Sequence, residues 1–170
     1  MPMLHARVGD LLLLHGSPAT RLFRLLKQGP EVCVSATLLD GLVLARSAFH
    51  HSANYRSVVV FGRPEPVTDL DERRRALDAL TDRLVPGRRP ALRPMTDKEV
   101  RATAMVSLPI VEASAKVRTG PPIDDEEDRD WPVWAGVLPI MTRFAEPIPD
   151  PFTDRHAAIP DHIRAMVDGG

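Results

Sequence analysis

The chain has a single cysteine among its 170 residues, Cys33. An internal disulfide and any multi-cysteine metal centre are therefore excluded. Cys33 stands between Val32 and Val34, a setting that reads as a buried, inert thiol. No apolar run approaches the roughly 20 residues needed to cross a bilayer. The opening Met-Pro-Met-Leu-His has neither the basic start nor the apolar stretch of a signal peptide, so a cytoplasmic location is the default expectation. Charge of one sign is missing as well. Twenty-two Lys and Arg against 23 Asp and Glu leave a formal net charge of -1, which gives no bulk attraction for nucleic acid or acidic lipid. Residues 83–93 hold four arginines and no acid. They lack interleaved aromatics and are balanced by the acidic residues 124–130, so they read as a solvated loop. There is no Gly-x-Ser-x-Gly elbow, phosphate-binding Walker loop, dinucleotide fingerprint or His-Glu-x-x-His motif, which leaves serine hydrolases, ATPases and zincins without support.

Proline is present in excess. Of 17 prolines, twelve stand at or after Pro86, so the second half should be richer in turns and extended segments. A hydrophobic share of 44% and a charged share of 26% are those of an ordinary globular chain. The length suits one domain with a sizeable core. The expected organisation is a domain over residues 1–145 and a proline-rich arm over 146–170.

Along the chain, residues 4–8 and 11–14 read as two strands joined by a turn at Gly9-Asp10. Ser17 reads as an N-cap, with Pro18 in the first helical turn. The following stripe Ala19, Leu22, Phe23, Leu25 and Leu26 predicts an amphipathic helix, ended by Gly29-Pro30. Residues 32–38 and 42–47 are β-runs that Leu39-Asp40-Gly41 should join as a hairpin. Residues 55–62 form a further strand, stopped by Gly62 and Pro64. A helix is expected over 70–85, with Asp71 and Glu72 favouring its N-terminus. Thr96 and Glu99 have capping-box spacing and start a short helix. Residues 105–115 should be one strand bent at Pro109, residues 134–140 a final short strand, and the segment after Pro160 a short helix. The fold class is α+β, mainly β with helices: a small barrel or sandwich with helices at its rim.

Two polar constellations stand out. In His15-Gly16-Ser17-Pro18-Ala19-Thr20-Arg21, a helix N-terminus presents free N–H groups to an anion. Gly16 lets an anion near the backbone, Ser17 and Thr20 add hydroxyls, and Arg21 adds a fork. On these residues alone, simple capping and a solvated arginine are the better account of the pattern. The second constellation is Arg46, Ser47, His50, His51, Asn54, Tyr55, Arg56 and Ser57, immediately before the apolar run Val58-Val59-Val60-Phe61. Polar residues at the mouth of a sheet are a common ligand setting. A polar inter-strand loop is the plainer reading. Adjacent histidines on a regular strand point to opposite faces, and no metal-ligand spacing is present. No metal site is assigned.

The wording Tyr55-Arg56-Ser57-Val58-Val59-Val60-Phe61-Gly62 resembles the flavin-contacting strand of the pyridoxamine 5'-phosphate oxidase-like, FMN-binding split-barrel proteins, most closely the nitroimidazole-resistance subgroup. The segments around His15, Lys116 and Trp134 agree with it in order, from about residue 4 to residue 140. The resemblance implies FMN as cofactor, with its phosphate held around His15, Gly16, Ser17, Thr20 and Arg21. Leu22 stands where the family often has lysine. Ser47, Tyr55, Arg56, Ser57 and Val58 would line the flavin ring and ribityl chain, with Lys116 and Trp134 nearby. Against the family pattern, the chain starts at what resembles the end of the second strand. The barrel is then short of its first strands, or a partner completes it, or the chain is a truncated product.

The implied function is a homodimeric FMN-binding oxidoreductase. It would act on a small organic acceptor, nitro-aromatic or quinone-like, with His50 or His51 as proton donor; the sequence does not choose between them. The alternative is a non-catalytic flavin- or haem-binding protein, with His50, His51 or His15 as an axial ligand. A third reading is a degenerate barrel that only dimerises.

Overall fold

The computed structural model describes residues 1–154 and 156–169. Its contacts divide the chain into two compact units. The first comprises Met1–Val32, Gly62–Val111 and Arg143–Gly170, and the second Cys33–Phe61 and Glu112–Thr142. The α+β class holds: the described residues contain two four-stranded sheets and four α-helices.

In the first unit the sheet order is β1 (His5–Val8), β2 (Leu11–Gly16), β6 (Ala104–Pro109), β5 (Glu65–Pro66). Gly9 takes φ +57° in the β1–β2 turn, a conformation open to glycine at no steric cost. β2 pairs antiparallel with β6, His15 opposite Met105 and Gly16 opposite Ala104. Ala6, Leu13 and Met105 of the sheet pack with Val67 and with Ala76 and Leu80 of α2 (Leu70–Leu84) in one core cluster. The Asp69 carboxylate accepts from the Glu72 N–H and starts α2. α3 (Asp97–Ala102) opens with the expected capping box: the Thr96 hydroxyl accepts from the Glu99 N–H, and the Glu99 carboxylate accepts from the Thr96 N–H. α4 (Asp161–Asp168) follows Pro160.

The helix α1 is shorter and starts later than its apolar stripe suggests. It spans Arg21–Leu26, and its N-cap is Thr20, whose hydroxyl accepts from Phe23 N–H at 3.3 Å. Ser17 is not the cap. Its carbonyl accepts from the Thr20 N–H and hydroxyl, and its own hydroxyl accepts from Ala19 N–H. This local turn uses up the groups that would have started a helix at Pro18.

In the second unit the sheet order is β7 (Glu112–Arg118), β4 (Ser52–Gly62), β3 (Val32–Leu44), β8 (Gly136–Pro139). Three sequence expectations fail here. Leu39-Asp40-Gly41 makes no hairpin, because β3 runs unbroken through it for 13 residues. Gly41 pairs with Pro139 of β8, and a Cβ there would lie 3.0 Å from the Leu138 carbonyl oxygen. Glycine serves strand packing at this position. Residues 105–115 are not one bent strand either: β6 ends at Pro109 and β7 begins at Glu112, in different sheets. Cys33 is exposed, not buried.

The core of the second unit is thin. Val43, Ala45 and Val60 are buried. Asn54 is buried and fully used: its amide donates to the Gly120 carbonyl at 3.1 Å, and its carbonyl accepts from Arg118 at 2.6 Å. Six of the seven residues of β7 are exposed.

Candidate functional site

In the first unit the expected phosphate-binding residues form one turn. Arg21 is exposed at the first position of α1, and no ion pair of its side chain is seen among the described residues. Thr20 is committed to the cap, donating to Ser17 and accepting from Phe23. The need for glycine at 16 is packing: a Cβ there would sit 2.3 Å from Phe23 Cε2. His15 is half-buried, and its Nδ1 is buried without a partner.

In the second unit strand alternation sorts the remaining candidates. In the β4–β7 ladder Tyr55 faces Arg118, Arg56 faces Val117, Ser57 faces Lys116 and Val58 faces Ala115. Directly opposed residues share a face. Tyr55, Ser57 and Lys116 therefore lie together on one side, and Arg56 and Val58 on the other with Ala115 and Val117. On the first side the Ser57 and Thr37 hydroxyls are 2.9 Å apart. The Lys116 ammonium lies 5.9 Å from the Tyr55 ring centre, within cation–π range. On the second side the Arg56 fork donates to Asp40 through Nε at 3.0 Å and Nη2 at 2.8 Å. These hydrogen bonds hold the Asp40 carboxyl below its ordinary range and push the Arg56 guanidinium up. Trp134 stands two residues before β8, with its ring against Gly136, where a Cβ would fall 2.9 Å from Trp134 Cζ2.

The two histidines occupy a turn with separate fates. A short 3-10 helix, Ala48–His50, follows Ser47. His51 Nδ1 lies 2.8 Å from the Ser47 carbonyl. A carbonyl can only accept, so Nδ1 carries a proton, and in the neutral ring the lone pair is on Nε2. His50 is turned the other way, with Nε2 3.1 Å from the Asp125 carboxylate and its ring edge-on to Phe49. The Ser47 hydroxyl is buried with no partner.

Sequence reasoning missed Asp124 and Asp125. They lie in a run that reads as an acidic surface loop, yet the Asp124 carboxylate accepts from the Arg46 N–H at 2.8 Å and from Arg46 Nη1 at 2.7 Å. Its side chain is only 5% exposed. The backbone hydrogen bond from Arg46 is the main cause of an Asp124 pKa below the ordinary value. A neighbouring cleft is lined by Arg46, Pro122, Ile123, Asp124 and Arg129. Little in the sequence signals them: the two open a run of acids after Pro121-Pro122-Ile123, 78 residues from the partner of the first. Among the described residues no group of three or more His, Cys, Asp or Glu is placed to hold a metal ion.

The antiparallel sheet of the second unit carries a polar strand face of tyrosine, serine and lysine. The chain belongs to the pyridoxamine 5'-phosphate oxidase family, whose model matches residues 1–117. The family fold is a flavin-binding split barrel. Among solved structures, the flavocytochrome Anf3 from Azotobacter vinelandii is 45% identical, with a TM-score of 0.91 over 98% of this chain and 77% of that one. A FAD and haem binding protein from Mycobacterium smegmatis is 41% identical, with a TM-score of 0.94 over 98% of this chain and 82% of that one. A protein assigned to 5-nitroimidazole antibiotic resistance from Bacteroides thetaiotaomicron shares the fold at 23% identity, with a TM-score of 0.56 over 68% of this chain and 66% of that one. Comparison with curated proteins gives no match. No helix among the described residues is long and apolar enough to cross a membrane.

Proposed function

We propose that this protein is a flavin-binding redox protein that also binds haem, with His51 as an axial ligand. The observation that carries the reading is the anchored ring of His51. Its Nδ1–H is held by the Ser47 carbonyl at 2.8 Å, which leaves Nε2 as the free lone pair. Histidines that ligate metals commonly donate the other ring N–H in this way. His50 is anchored through the opposite nitrogen, Nε2 on Asp125, which leaves Nδ1 beside its own backbone, and Nδ1 of His15 has no partner. The two relatives above 40% identity, described as a flavocytochrome and as a FAD and haem binding protein, support the same pair of cofactors.

For the flavin, the face formed by Tyr55, Ser57, Thr37 and Lys116 supplies a ring, two hydroxyls and a cation. Ser47 adds an unmet hydroxyl at the histidine turn. FMN is the form expected from the sequence, and FAD is the form named for the Mycobacterium smegmatis relative. When bound, a flavin accepts electrons in pairs and haem exchanges them singly, so the two together convert one mode into the other. A nitro-aromatic or quinone-like acceptor rests only on a relative that shares the fold, and haem takes that place in the proposal.

The proposal includes a homodimer in a cytoplasmic setting. Val58 and Val117, on one face of β4 and β7, are 39% and 63% exposed. Exposed valines of this kind, beside the Arg56–Asp40 pair, need cover, and a second copy supplies it. A cytoplasmic setting accords with the free, exposed Cys33.

The test is the absorbance spectrum of protein purified with both cofactors supplied. Flavin bands and a Soret band together support the reading, and His51→Ala should abolish the Soret band while leaving the flavin bands. A flavin spectrum with no Soret band under haem saturation would sink the haem half. A colourless protein would sink both.

A further inference from the structure

We infer that Asp124 is a positioning residue for His51, setting from a distant segment the ring tautomer that leaves Nε2 free. The inference rests on the proposed haem role of that histidine.

The geometry runs through five hydrogen bonds. One carboxylate holds both the backbone N–H and the guanidinium of Arg46, at 2.8 Å and 2.7 Å. Arg46 adjoins Ser47, so this grip fixes the peptide that leads into the turn. The Ser47 carbonyl then accepts twice, from the His50 N–H at 3.3 Å and from His51 Nδ1 at 2.8 Å. Asp125 adds a second tether on the far side of the turn through His50 Nε2.

The anchoring is strong where it matters. The carboxyl group of Asp124 is 5% exposed, while the Asp125 side chain is 66% exposed. A buried carboxylate in two charge-assisted hydrogen bonds is a firmer fixing than a rim pair. Arg46 Nε is buried with no partner, and Asp124 is the acceptor seen for the guanidinium among the described residues. Nothing within residues 46–51 replaces this anchor, because the Ser47 hydroxyl caps neither the short helix nor a neighbour. The histidine turn therefore takes its shape from residues 124 and 125.

The experiment begins on the full chain free of haem. Ring-nitrogen NMR above pH 8 reports the tautomer of a neutral histidine. Wild-type His51 should show the Nδ1–H form. In Asp124→Asn, where one neutral carbonyl replaces the two-oxygen anion, the ring shifts should move towards the mixed tautomers of a free imidazole. Unchanged His51 shifts in the folded variant overturn the inference. If Asp124→Asn does not fold, Arg46→Lys loosens the same grip with charge retained and is read the same way. Haemin titration follows, where the variant should bind about tenfold more weakly or worse and Asp124→Glu should recover part of the loss. Equal haemin affinity in wild type and Asp124→Asn overturns the inference. If wild type binds no haemin, the haem reading falls, and the NMR result still decides whether Asp124 positions His51.

Discussion

Asp40 and Arg56 meet in a two-point hydrogen bond between neighbouring strands of one sheet, with both guanidinium contacts at or below 3.0 Å. The pair holds the Asp40 carboxyl below its ordinary value of 3.8. A depressed carboxyl stabilises the fold above the unfolded value and loses that effect as pH falls through the folded one. Asp40→Asn should therefore be less stable than wild type at neutral pH. The gap should close only below pH 3.8. Urea unfolding at stepped pH checks this, and a gap that persists unchanged into strong acid contradicts it.

Glu99 carries a larger version of the same effect. Bonds from Arg93 and from the Thr96 N–H and hydroxyl lower its carboxyl from 4.5 to about 2. Glu99→Gln should lose its disadvantage to wild type between those two values as the solution is acidified. The neighbouring cap is a separate lever: Thr96→Ala should cost about 1 kcal/mol, measured by thermal or urea unfolding, with little dependence on pH near neutrality.

Gly16→Ala is expected to destabilise by about 1–3 kcal/mol, through overpacking. The new methyl would fall 2.3 Å from the Phe23 ring. Pairing it with Phe23→Leu should recover part of the loss if that contact is the cause. A double variant as unstable as the sum of the two singles would show that the two sites do not interact.

Arg21→Ala should weaken FMN by about 1.5–3 kcal/mol, the range for a hydrogen bond to a charged group, and leave riboflavin nearly untouched. Only FMN carries the phosphate that an exposed arginine in this turn would engage. Fluorescence titration of both ligands decides it, and an equal loss for the two moves the phosphate elsewhere.

Val117→Glu places a new acid on the face that Val117 shares with Val58, Ala115 and the Arg56–Asp40 pair. Wild type should be dimeric by light scattering at micromolar concentration and the variant monomeric. Because Val117 is already 63% exposed, the fold of the single chain should survive, as far-UV circular dichroism would show. A variant that remains dimeric excludes this face as the interface.

Local grammar made much of the first unit legible. Gly9-Asp10, the Thr96–Glu99 spacing and Pro160 each act within a few residues, and each forms the expected feature. The errors share a cause, which is a partner far away in sequence. Leu39-Asp40-Gly41 has turn composition, but Arg56 takes the carboxylate, and the Asp40 carbonyl accepts from the Ile140 N–H at 3.0 Å. Val32-Cys33-Val34 has the composition of a core strand, yet that strand end is uncovered in the chain. At the candidate site the residue types near 46–58 were readable. Their division between two faces followed only once the register against β7 was fixed. Asp124 could not be distinguished from its acidic neighbours, because what sets it apart is its burial against Arg46.

The exposed thiol of Cys33 has a practical consequence. With no second cysteine in the chain, a maleimide or nitroxide reagent has one attachment point, and the native sequence is ready for labelling without mutagenesis. A twofold assembly would then carry two identical spin labels and yield a single inter-label distance by pulsed electron resonance, while a lone chain would yield none. The same label sits near the start of the 13-residue strand β3, four residues from Thr37, so changes in its mobility on adding flavin would report from the strand that carries part of the proposed flavin face.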